Sequence, residues 1–330
     1  MQSQDRRSLR TMAAMLLLFG FAACSTERYG EPINGFSAAA AQASDAVRNM
    51  NQALADATLD YVMRSATDPK LGELRLEKDA DCGAYVPETN AEDAVRCRAV
   101  FVVNGEGQTV TIDREHYTNP MGNMVAVMAA IQKYAANLAE VQADNTSEEV
   151  NASIDKIQAN LVELIKATDP SAQVPQGLPQ AAGEGVKWAF GQYIESVKLD
   201  ALRKATKAAA APLDDAAFAF KEFAKSAKQQ ISVTVMAEAA KAMRNRPDNS
   251  VASNRQALNQ ANAYDDLLTA PLSPMLDNLV AAHRKLETAL NGDGKVSIQE
   301  VFSRFEEIKA QAEQVAKIAK DISAALKKTT

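Results

Sequence analysis

Aromatic residues make up only 5% of this 330-residue chain, with a single tryptophan, and histidine occurs twice. Large rings are therefore too few to fill most of a core, and most secondary elements are expected to pack through small and aliphatic side chains. His116 and His283 stand too far apart in sequence to form a local metal motif, and the three cysteines contain no C-x-x-C pair. That removes the usual zinc-knuckle and redox-dithiol arrangements. No G-x-S-x-G, H-E-x-x-H or phosphate-binding loop occurs, and Gly183-Glu184-Gly185 follows no strand pattern, so it lacks the context of a dinucleotide site. Lysine and arginine do not cluster with aromatics, and the formal net charge is −6, a poor match for a nucleic-acid partner.

Near the start, Arg6, Arg7 and Arg10 precede an uncharged run from Met12 to Ala23. Its 12 residues are too few to span a bilayer as a helix and suit the core of a signal peptide. The run closes on Phe21-Ala22-Ala23-Cys24-Ser25. This resembles the lipobox of bacterial lipoproteins, with Phe21 where leucine is usual. The resemblance implies that residues 1–23 are removed and Cys24 is acylated. A multiply acylated cysteine would tether a water-exposed body without a transmembrane helix. By the same resemblance, Ser25 after the cysteine favours the outer membrane. Residues 24–35, polar and carrying Gly and Pro, read as a flexible tether.

From Phe36 onward the apolar residues fall at spacings of three and four. Phe36, Ala40, Ala43, Val47, Met50, Leu54, Ala57 and Tyr61 form one seam, which Asp68-Pro69 should end. Met124 to Val141 and Val150 to Leu164 form two more, divided by Thr146 and Glu149, a capping-box pair. A fourth runs through Val186, Phe190, Ile194, Val197 and Ala201 and should break at Pro212, resuming from Phe220. Ser250 to Thr269 reads as a more polar helix. Leu276, Leu279, His283, Leu286 and Leu290 precede the most regular seam, Val301 to Leu326. The first helix is its natural packing partner by length. Alanine-rich seams let helices approach closely, so the expected fold is all-α: an elongated antiparallel helical bundle over residues 36–330.

One segment departs from this pattern. Residues 72–119 hold "ELRL", "AVFVV" and "TVTID" with "NGEGQ" between the last two, which predicts a β-hairpin over residues 99–114 inside a small β insertion. With Cys24 assigned to the anchor, Cys82 and Cys97 remain as one even pair for an exported protein. A bridge closing that 15-residue separation is worth about 3 kcal/mol against the unfolded chain.

The stretch "ALNGDGKVSIQE", residues 289–300, resembles an EF-hand loop. With Gly294 at the glycine position, the resemblance implies Asn291, Asp293, Lys295 through its carbonyl, Ser297 and Glu300 as ligands of a weakly held calcium ion. Ala289 stands where the first acidic ligand belongs. Helix geometry offers a competing account: Gly292 suits a C-terminal cap, and Ser297 with Glu300 a capping box.

Taken together, these features describe a lipid-anchored periplasmic helical bundle, non-enzymatic and without a resident cofactor, binding another envelope component through a helix face or the β insertion. Two alternatives follow from particular segments. The calcium loop would make the chain a calcium-responsive binding module. The helical body with the apolar hairpin "AVFVVNGEGQTVTI" loosely resembles the alpha pore-forming toxins, which would make it membrane-active.

Overall fold

The computed structural model describes residues 27–65, 72–77, 98–105, 108–112, 117–172, 191–244, 248, 250–292 and 298–327. Cys24, Cys82, Cys97 and His116 lie outside these residues, as do Asp293, Lys295 and Ser297.

Helices dominate. They are α1 (Glu27–Ser65), α2 (Gly122–Ala143), α3 (Ser147–Thr168), α4 (Gly191–Arg244), α5 (Val251–Leu268), α6 (Leu272–Leu290) and α7 (Ile298–Lys327). Between α1 and α2, strands β1 (Gly72–Glu77), β2 (Arg98–Gly105) and β3 (Gln108–Ile112) form an antiparallel sheet in the order β1-β2-β3. Leu74 pairs with Phe101 across one ladder, and Val103 with Val110 across the other.

The chain divides into two units. The first consists of Met1–Gln42, Val127–Phe218 and Leu276–Ile308, the second of Ala43–Ala126, Ala219–Met275 and Lys309–Thr330.

Seam residues became core where three-four spacing was strict. In α2, Met124, Val127, Ile131, Tyr134, Leu138 and Val141 are all buried, as are Val150, Ile154, Ile157, Leu161 and Leu164 of α3. The boundary between them is built as the residue pattern demands: the Thr146 side chain accepts from the Glu149 amide, and the Glu149 carboxylate accepts from the Thr146 amide. Asp169 caps the far end of α3 and donates its amide to Ile165.

In the first unit α1 and α7 meet closely. A Cβ placed on Gly35 would lie 2.7 Å from two ring carbons of Phe305, so glycine is what permits this approach. Phe36 packs on Phe305 with ring centroids 6.5 Å apart.

Three sequence expectations need correction. The tether assigned to residues 24–35 is already helical from Glu27, with Tyr29 buried and Ile33 wholly so. Pro32 costs α1 one hydrogen bond near its start, and burying those two side chains offsets it. Secondly, Pro212 does not break the chain: α4 runs unbroken for 54 residues. Its neighbours are alanine-rich, and Leu202, Ala205, Ala209, Leu213, Ala216 and Phe220 bury one face on both sides of the proline. Tertiary burial thus overrides a local penalty of about 3 kcal/mol. Thirdly, the buried face of early α4 is rotated from the expected seam: Ile194, Val197 and Ala201 are half-buried, while Lys198, Leu199 and Leu202 are buried. Lys198 tolerates burial because its ammonium donates to the Gln142 carbonyl, near the end of α2, at 3.1 Å and to Glu195 at 3.2 Å.

Candidate functional site

The second unit contains an open cavity of about 580 Å³. Its walls come from four places: Leu54 of α1, Met121 and Met124 at the start of α2, the Lys221 to Ala227 stretch of α4, and the α5–α6 junction from Leu267 to Pro274. The spacing of α4 explains its contribution. Ala224 and Ala227 turn inward and are buried, whereas Lys221 and Lys225, one turn apart, are exposed at the edge.

The junction is shaped by proline. Thr269 ends α5 with its hydroxyl donating to the Asp266 carbonyl, and Pro271 and Pro274 then start α6. The α6 first turn carries no acidic side chain. Asn51 of α1 fixes the approach to α2: its side-chain Oδ1 accepts from the Met121 amide at 2.7 Å, and its Nδ2 donates to the Asn119 side chain at 3.0 Å. Met121 is thereby held in the wall.

Sequence patterning missed this cavity. Leu54, Met124 and Ala227 each read as seam residues, and periodicity says that a residue is buried without saying whether its neighbours fill the space.

A second polar feature lies in the core of the first unit. The Tyr134 hydroxyl and His283 Nε2 are 2.8 Å apart, and both residues are fully buried among Phe36 and neighbouring apolar side chains. Burial pushes the Tyr134 hydroxyl well above its ordinary range, and Glu287 adds to this. Desolvation, opposed by Asp214 and aided by Arg284, pulls His283 down to about 3, so the imidazole is neutral at physiological pH. His283 Nδ1 is buried without a hydrogen-bond partner. If Nε2 carried the proton, the Tyr134 proton and the Nδ1 lone pair would both lack partners. A proton on Nδ1, with Tyr134 donating to Nε2, leaves one group unpaired instead of two. As its place on an apolar seam suggested, His283 packs in the core.

The loop at residues 289–300 is described at its edges. Helix α6 runs to Leu290, and Gly292 takes the left-handed conformation with φ 78°. Its last carbonyls are well supplied: Arg203 Nε donates to Leu290 at 2.7 Å, and Asn291 Nδ2 to Glu287 at 3.0 Å. At the other edge, Glu300 accepts from Lys285 at 3.0 Å. Asn291 and Glu300 therefore both have roles within the protein that need no ion. Among the described residues no group of three or more His, Cys, Asp or Glu side chains gathers as a metal site.

None of the described helices is long and apolar enough to cross a membrane. The chain matches no protein-family model, no curated protein and no solved structure.

Proposed function

We propose that this chain is a lipid-anchored binding protein of the bacterial cell envelope, non-enzymatic, held at the periplasmic face of the outer membrane through Cys24 and presenting a helical body to another envelope component. The observation that carries the reading is the leader: a basic start, a 12-residue apolar core and Phe21-Ala22-Ala23-Cys24 in immediate succession. The body fits that role in two respects. Its helices bury their strict three-four seam residues, which suits a water-exposed body carried on a lipid anchor. Its second unit also keeps an apolar cavity open, the kind of feature through which a binding protein engages a ligand. In an exported chain the Cys82–Cys97 bridge belongs to the same reading, clipping the segment between β1 and β2.

Metabolic labelling with an alkyne-bearing fatty acid tests the anchor. Wild-type chain takes up label and stays with membranes through an alkaline wash, and Cys24→Ser does neither. An unlabelled wild-type chain that keeps residues 1–23 removes the proposal.

A further inference from the structure

We propose that the cavity of the second unit is a binding site for a long-chain fatty acid, its alkyl chain lying in the cavity and its carboxylate at the Lys221 and Lys225 edge. This deepens the binding half of the reading above and does not depend on the anchor.

The argument starts from the wall. Leu54, Met121, Met124, Leu267, Leu272 and the two alanines of α4 supply carbon surface. Such walls favour an apolar occupant. Two of them are methionines, whose unbranched side chains adapt to a flexible chain better than branched ones do. Size fits as well. A methylene needs about as much room as a water molecule, ~30 Å³, so a sixteen-carbon chain requires roughly 480 Å³. The open cavity, about 580 Å³, is of the same order.

Charge then decides which end points outward and which headgroup is taken. The protein as a whole is acidic, with net charge −6, yet among the described residues the charged side chains lining this cavity are Lys221 and Lys225, and none is acidic. They stand one turn apart on the exposed face of α4, which places cationic charge beside the cavity. The first turn of α6, Leu272 to Pro274, lies on the cavity wall and adds the positive end of its dipole without an acidic side chain to cancel it. A carboxylate on an alkyl chain satisfies both halves of the site. A neutral alkyl alcohol of the same length satisfies only one.

The test is equilibrium binding of a fluorescent sixteen-carbon fatty acid to the full chain carrying Cys24→Ser, prepared without detergent. Saturable binding at one site is expected, displaced by palmitate and less well by hexadecanol. Lys221→Glu with Lys225→Glu, both at exposed positions, should weaken the fatty acid about tenfold and leave hexadecanol unchanged. Ala224→Trp, which fills the cavity, should abolish binding of both, with circular dichroism confirming an intact fold. Absence of saturable binding overturns the proposal, as does equal affinity for acid and alcohol. Binding unaffected by the paired glutamates overturns it too, independently of how Ala224→Trp folds. Because Cys24 is absent from this protein, failure here leaves the labelling result for the anchor untouched.

Discussion

Tyr134 and His283, 149 residues apart in sequence, share a 2.8 Å hydrogen bond beside the buried ring of Phe36. Each satisfies the other, and neither is replaceable alone. Tyr134→Phe should cost about 1–3 kcal/mol, because it strands a buried imidazole nitrogen. The double change Tyr134→Phe with His283→Leu should recover most of that loss, since neither polar group of the pair is then left buried without its partner. Urea denaturation of the single and double variants measures both effects. Additive losses would show that the pair does not act as a unit.

The same imidazole sets a pH dependence. Its folded value, about 3, lies below the ordinary 6.5 of an unfolded chain. Between those values the unfolded state binds the extra proton, so stability falls as the solution is acidified. The contribution is complete above about pH 6.5 and declines by up to about 1.4 kcal/mol per pH unit on the way down. His283→Leu should flatten the stability profile between pH 6.5 and pH 4 relative to wild type. Parallel profiles would refute this.

Gly35 gives a prediction that runs against helix propensity. Alanine at an interior helical position ordinarily gains about 1 kcal/mol over glycine. Here the new methyl would press on the buried Phe305 ring at 2.7 Å, and overpacking of that kind costs about 1–3 kcal/mol. Gly35→Ala should therefore lower the melting temperature, and Phe305→Leu in the same chain should relieve part of the loss. A rise in melting temperature for the single variant would contradict the close approach of α1 and α7.

At the end of α6 the capping groups predict the behaviour of the EF-hand-like loop. Gly292→Ala must hold a side chain at φ 78° and should cost about 1 kcal/mol. Arg203→Met keeps the apolar stem but removes the donor to Leu290, at a cost of about 1–2 kcal/mol. Neither loss should be restored by calcium. Titration calorimetry with millimolar calcium should give no saturable heat, and saturable heat abolished by Glu300→Gln would instead support the calcium-responsive alternative.

Periodicity in the residue string was enough to place most of the helices and most of their buried faces. The strict three-four spacing of Val150 to Leu164, bounded by Thr146-Glu149 and Asp169-Pro170, names a helix, its ends and its inner side at once. Local rules of this kind work because capping and amphipathicity are settled within a few turns of chain.

Other features depend on what lies across the fold. Whether Pro212 breaks a helix depends on the burial available on either side of it, and here Leu202 to Phe220 provides enough to carry α4 straight through. Whether residues 27–35 are tether or helix turned on the burial of Tyr29 and Ile33. The partner of His283 sits on another helix, and the vacant space beside Leu54 and Ala224 is a property of how separate segments fail to fill a volume together. Contacts between distant segments are not encoded in any one stretch, because free energies of burial and packing belong to the assembled core.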